Sequence, residues 1–380
     1  MEGPVMLIPL LLLSALVVPP AHGAAAAAGP SQRVPEPVAT AHADSGDSAR
    51  RRGIHAAPLK VVTSLTTYGA IAREIVGDHG TVTSIAQGDE DPHFVQPKPS
   101  FVAILRDADL FVTTGLDLEL WVPPLLDRAG NRKVSEGGPG YVTAYTGIHL
   151  LEVPSSLSRS EGDLHQDGNP HIHTDPLNAI IIARNILTGL QRVSPDQAAY
   201  FAGRERDFEQ RVLEAIMGRE LVGILTPATA LGLLQGDKLD DFLIKQQYQG
   251  RPLADRLGGW LGEARVFKGK EVACYHKEWA YFGHRFGVTC AEYIEAKPGI
   301  PPTPGHVQAV IALMKERHIP ALFASNYFDR NQIRQVAERT GARPVIVPEN
   351  TAGAPGVDTY FQLVDTWVKG LAGAFNGGAS

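Results

Sequence analysis

Four residues stand where an alternating strand–helix chain would present ligand-binding side chains. They are His93 in Asp91-Pro92-His93, His171 in Asn169-Pro170-His171-Ile172-His173, His276 directly after an apolar stretch at 272–275, and Glu349 directly after another at 345–347. Three neutral imidazoles and one carboxylate form a donor set that suits zinc, which takes N and O ligands at about 2.0–2.2 Å in tetrahedral geometry. Taken singly, each has an ordinary reading. A loop histidine is commonly solvated or hydrogen-bonded, and Glu349, preceding Asn350 and Thr351, reads equally as a surface acid beside a turn. The donors lie tens of residues apart, and no short metal-ligand pattern is present. His173 competes with His171, because residues i and i+2 of extended chain point the same way.

Positioning such residues requires strands that end where the loops begin. Leu59–Ser64 is a β-branched strand feeding a helix over 68–76, and a strand at 81–86 follows. Helices over 100–106 and 119–128 then alternate with strands at 109–113 and 141–145. A second block repeats the pattern: strands at 271–275, 288–293, 321–324 and 344–347, and helices at 278–286, 306–317, 331–340 and 359–375. This alternation predicts an α/β fold of two lobes, each a mostly parallel sheet flanked by helices. Open parallel sheets bind ligands beyond the carboxyl ends of their strands, and a cleft between two lobes is a natural site for a small ligand. Between the blocks a helical pattern runs from Pro176 to about Met217, interrupted near Ser194-Pro195, and reads as one long backbone helix joining the lobes. The expected divisions are a first lobe over 58–175, a linking helix over 176–218, an inserted Gly- and Leu-rich segment over 219–268, and a second lobe over 269–376.

The 380 residues suffice for two domains. Residues 1–23 have the apolar run and small-residue ending of a signal peptide, although Glu2 stands where a positive charge is usual. Residues 24–57 are rich in Ala, Pro, Gly and Ser without apolar period and read as a flexible leader. No Cys lies near the cleavage point, so the expectation is a periplasmic or secreted protein that is not a lipoprotein. The two cysteines, Cys274 and Cys290, read either as a disulfide or as two small buried apolar residues. A net charge of −6, with no basic cluster beyond Arg50–Arg52, argues against nucleic acid as a partner.

The sequence resembles the metal-binding branch of the ABC-transporter solute-binding proteins, cluster A-I, the zinc and manganese receptors. The likeness rests on Asp91-Pro92-His93 with Pro97-Lys98-Pro99-Ser100, Ala108-Asp109-Leu110, Gly115-Leu116-Asp117-Leu118-Glu119, and Pro170-His171 before a long helix. It continues with Tyr275-His276 and Ala280-Tyr281-Phe282, then Phe286-Gly287 and Gly356-Val357-Asp358-Thr359-Tyr360. The resemblance implies metal ligands at His93, His171, His276 and Glu349, and a rigid backbone helix. It implies a monomer that delivers a divalent metal ion to an ABC transporter permease. It favours His171 over His173, and three His with one carboxylate point to Zn2+ before Mn2+. Two positions depart from the family: Lys277 replaces a frequent acid after the third His, and Phe323-Ala324-Ser325 replaces Phe-x-Glu, which leaves open what orients the imidazoles. Ser158 to His173, with Glu161, Asp163, His165 and Asp167, resembles a reduced form of the family's His- and acid-rich loop and reads as a polar mobile loop. The competing reading is a zinc hydrolase with Glu349 as general base. The chain has no His-Glu-x-x-His helix to support it. A surface adhesin or metal store would share the same ligands.

Overall fold

The computed structural model describes residues 57–154, 165–295, 297 and 299–376. The expected signal peptide, nearly all of the leader, and residues 155–164, which take in the first part of the polar loop, lie outside the described residues.

In the first lobe, β1 (Leu59–Thr63), α1 (Thr66–Val76), β2 (Gly80–Ser84), α2 (Pro99–Arg106), β3 (Leu110–Thr113), α3 (Val122–Ala129) and β4 (Tyr141–Thr143) follow in turn. All strand pairs are parallel, in the order β2-β1-β3-β4. β3 is Leu-Phe-Val-Thr and buried throughout, as expected of a central strand covered by helices on both faces. α3 begins three residues later than the sequence suggests. Leu116 and Asp117 sit at φ 58° in the left-handed region, so the chain turns there instead of starting a helix.

The stretch read as one backbone helix is two helices, α4 (Pro176–Val193) and α5 (Ala198–Met217). Ser194 leaves helical geometry and Pro195 opens a short 3-10 turn, because a proline cannot donate to the preceding turn. α5 then folds back along α4, bringing the Arg184 guanidinium to within 2.6 Å of the Glu209 carboxylate. In an unbroken helix those residues would stand about 37 Å apart. α5 touches both lobes: Arg211 pairs with Glu74 of α1 at 2.7 Å, and the Phe208 ring packs 5.8 Å from Phe361 on the C-terminal helix.

Between Met217 and Lys268, α6 (Arg219–Leu225), α7 (Pro227–Gln235) and α8 (Leu239–Lys245) are followed by a small hairpin, β5 (Gln247–Tyr248) with β6 (Arg251–Pro252), and by α9 (Gly259–Glu263). Leu221, Leu234 and Leu243 are buried, and α6, α7 and α9 pack on α5.

The second lobe comprises β7 (Glu271–Cys274), α10 (Ala280–Phe286), β8 (Thr289–Tyr293), α11 (Pro304–Glu316), β9 (Ala321–Ser325), α12 (Arg330–Thr340), β10 (Arg343–Val347) and α13 (Tyr360–Asn376). Its parallel sheet runs β8-β7-β9-β10, the same order by position as in the first lobe. Cys274 and Cys290, on neighbouring β7 and β8, form a disulfide with Cα atoms 5.5 Å apart.

The lobes are fastened along one side. Thr66 Oγ1 donates to the Thr351 carbonyl at 2.6 Å, Thr67 Oγ1 to Asn350 Oδ1 at 2.7 Å, and Thr351 N–H to Thr67 Oγ1 at 3.2 Å. Asp175, which caps α4 by accepting from Leu177 N–H, also takes the Arg285 guanidinium of α10 at 2.9 Å.

Candidate metal centre

His93 lies between β2 and α2. Asp91 Oδ1 accepts from the His93 backbone N–H at 3.0 Å and from its ring Nδ1–H at 2.8 Å. The Trp121 indole N–H pins the same turn by donating to the Pro92 carbonyl at 2.8 Å. With Nδ1 committed to Asp91, the ring turns Nε2 into the cleft.

His171 ends the extended segment before α4, its N–H accepted by Asn169 Oδ1 at 3.0 Å. That segment is tied to the second lobe by Asn169 Nδ2 donating to the Lys277 carbonyl at 2.7 Å and by Tyr281 Oη donating to the Asn169 carbonyl at 2.8 Å. The ring Nδ1–H of His171 donates to Glu349 Oε1 at 2.7 Å. Its Nε2 is buried without a hydrogen-bond partner, an orphaned lone pair of the kind that needs a ligand. His276 follows β7 in extended conformation, with Phe328 packed 5.9 Å from its ring and Glu295 Oε1 3.6 Å from its Nδ1.

These three imidazoles meet. One donor atom from each of His93, His171 and His276 lies within 4.8 Å of the other two, and their ring centroids are 5.2–5.6 Å apart. Glu349, the fourth residue expected from the sequence, is fully buried behind His171. Its Oε1 takes the imidazole and its Oε2 takes the Tyr327 hydroxyl at 2.6 Å. His173 is buried on the far side of that carboxylate, its Nε2 3.5 Å from Glu349 Oε1, and is not part of the three-imidazole group.

The electrostatics favour neutral nitrogen donors. Burial pulls His171 and His276 well below the usual histidine range, and the neighbouring imidazoles push them lower. For His93, burial is outweighed by the hydrogen bond and charge of Asp91, so its pKa is raised. Burial drives Glu349 upward, opposed chiefly by His173 and Tyr327.

Two orienting groups are identified: Asp91 holds His93 and Glu349 holds His171, in the manner of outer partners that fix a ligand's tautomer, whereas His276 Nδ1 has no hydrogen-bond partner and Glu295 stands 3.6 Å from it. The signal for Asp91 lay in the Asp-Pro-His triplet, but nothing in the spacing of Glu295 pointed to the site. Ser325, at the position where the family often has an acid, is met by Glu278, whose Oε1 accepts from the Ser325 hydroxyl at 3.1 Å and from its N–H at 3.3 Å. A further histidine, read from sequence only as part of a polar loop, touches the cluster: His165 Nε2 lies 3.3 Å from His93 Nε2.

Two α/β lobes of matching strand order, with imidazoles from both converging between them, define a solute-binding protein for a metal ion. The chain belongs to the family described as zinc-uptake complex component A, periplasmic (ZnuA), which matches residues 61–216 and 260–374 and leaves most of the 219–268 segment outside. Members of this family are receptors, not enzymes, which sets the hydrolase reading aside. Among curated proteins, the chain is 24% identical to the manganese-binding lipoprotein MntA of Halalkalibacterium halodurans, over 83% of this chain and 89% of that protein. It is 25% identical to the iron-binding protein YfeA of Yersinia pestis, covering 83% and 86%. It is 22% identical to the high-affinity zinc uptake system protein ZnuA of Paracoccus denitrificans, covering 82% and 90%. Its fold is similar to a crystal structure of ZnuA, with TM-score 0.58, 19% identity, and coverage of 83% of this chain and 98% of that one. It is also similar to a manganese-bound periplasmic metal-binding protein from Candidatus Liberibacter asiaticus, with TM-score 0.57, 19% identity and the same coverage.

Proposed function

We propose that this protein captures zinc between its lobes at His93, His171 and His276 and delivers it, as an exported monomer, to an ABC transporter permease. The observation that carries this reading is the convergence of three imidazoles, half-buried His93 and buried His171 from the first lobe and buried His276 from the second, on one point. Imidazole suits zinc, copper, nickel and iron, whereas manganese favours oxygen donors. The relatives named for zinc, manganese and iron support a divalent transition metal; the nitrogen-rich donor set favours zinc among them. Glu349 serves this site from behind, fixing the His171 tautomer so that Nε2 faces the ion. The paired cysteines favour an oxidising compartment, in keeping with export.

Calorimetric titration of metal-free protein with zinc and with manganese, repeated on His276→Ala, tests the proposal. Zinc binding at one site per chain, tighter than manganese and lost in the variant, is the expected result. Absence of binding to the unaltered protein would refute metal capture, and tighter manganese binding would refute only the choice of ion.

A further inference from the structure

Three imidazoles leave a tetrahedral ion one donor short. Glu349 has both oxygens engaged, by His171 and by Tyr327. The remaining approach lies on the side of His93, whose side chain is 10% exposed while those of His171 and His276 are 1% and 3% exposed. His165 occupies that edge.

We infer that His165 is the fourth donor, so that the ion is held by four imidazoles and the site selects zinc-like borderline metals against manganese. The inference rests on metal capture at His93, His171 and His276. Nε2 of His165 stands 3.3 Å from Nε2 of His93. Two nitrogens bound to one tetrahedral zinc at about 2.0–2.1 Å must lie about 3.3–3.4 Å apart, so the pair already has the required spacing. The rings are 5.4 Å apart between centroids, matching the separations within the three-imidazole group. A turn closed by Gly168 N–H on the His165 carbonyl at 3.2 Å links this residue to the segment carrying His171. His93, His171 and His276 already converge within 4.8 Å of one another, and His165, which meets His93 alone, closes the remaining side when the ion binds.

The test is X-ray absorption on zinc-loaded full-length protein, which counts coordinated imidazoles, together with zinc and manganese affinities by chelator competition. The protein is compared with His165→Ala and with His149→Ala, an exposed histidine outside the site. Four imidazoles are expected in the unaltered protein and three in His165→Ala, with zinc affinity lowered on the order of 100-fold. Manganese affinity should change far less, and His149→Ala should match the unaltered protein. Tight zinc binding through three imidazoles, unchanged in His165→Ala, would overturn the assignment while leaving metal capture intact. Failure of the unaltered protein to bind zinc would overturn both.

Discussion

The Glu349 carboxylate, carried on the second lobe, meets the Nδ1–H of His171 at 2.7 Å and thereby decides which nitrogen of that ring faces the cleft. Glu349→Ala should therefore weaken zinc binding about 10–100-fold, the usual cost of removing an outer partner of a ligating histidine. Glu349→Gln keeps an oxygen that accepts from Nδ1 and should recover most of the loss. Chelator competition distinguishes the two variants; equal loss in both would show that the negative charge, and not the hydrogen bond, is what matters.

Asp91 raises the pKa of His93, whereas His171 and His276 are depressed by burial. Near neutral pH His93 thus carries more proton than its partners, and an ion must displace that proton to bind. Zinc binding should release protons, with affinity falling as pH drops and His93 protonating first. Asp91→Asn should reduce the release. Titration calorimetry in buffers of different ionisation enthalpy measures both quantities.

Glu119 is buried at the carboxyl ends of β1 and β3, where its Oε1 accepts from Ser64 Oγ at 2.6 Å, Thr114 N–H at 2.9 Å and Thr114 Oγ1 at 2.7 Å. Burial raises its pKa above that of the unfolded chain despite these donors. Its contribution is therefore fully present below the unfolded pKa and is lost as pH rises through the folded value. Glu119→Gln, which keeps the accepting oxygen without the charge, should gain stability relative to the unaltered protein as pH rises from acid to neutral. Glu119→Ala leaves the donors unmet and should cost about 2–4 kcal/mol. Urea unfolding across that pH range checks the sign.

Replacing Cys274 and Cys290 by alanine opens a short loop between adjacent strands and should lower stability by about 3 kcal/mol. Zinc affinity should change little, because β7 keeps its place between β8 and β9 through the sheet. Denaturant melts and zinc titrations of the double variant separate the two effects.

The order of elements was readable because short, largely buried apolar runs bounded by turns, such as Leu-Lys-Val-Val-Thr and Ala-Leu-Phe-Ala-Ser, alternate with helical periods. His276 was readable because it directly follows a strand, and His93 and His171 because each stands in a Pro-His pair of the family's pattern. The reversal at Pro195 was not, since an interrupted helical period fits a kink as well as a hairpin, and tertiary contacts such as Arg184–Glu209 distinguish them. The placement of Glu349 behind His171, and of His165 against His93, depends on side-chain direction across more than 70 residues of chain, which local pattern does not encode.

The fastening of Thr66 and Thr67 to Asn350 and Thr351 bears on how cargo is exchanged. It ties the chain just beyond Glu349 to α1, so the acid's flank cannot part without breaking those bonds in a largely buried setting. The protein is in this respect a book bound along its spine. Of the three converging imidazoles His93 has the most exposed side chain, so cargo exchange is expected on its side.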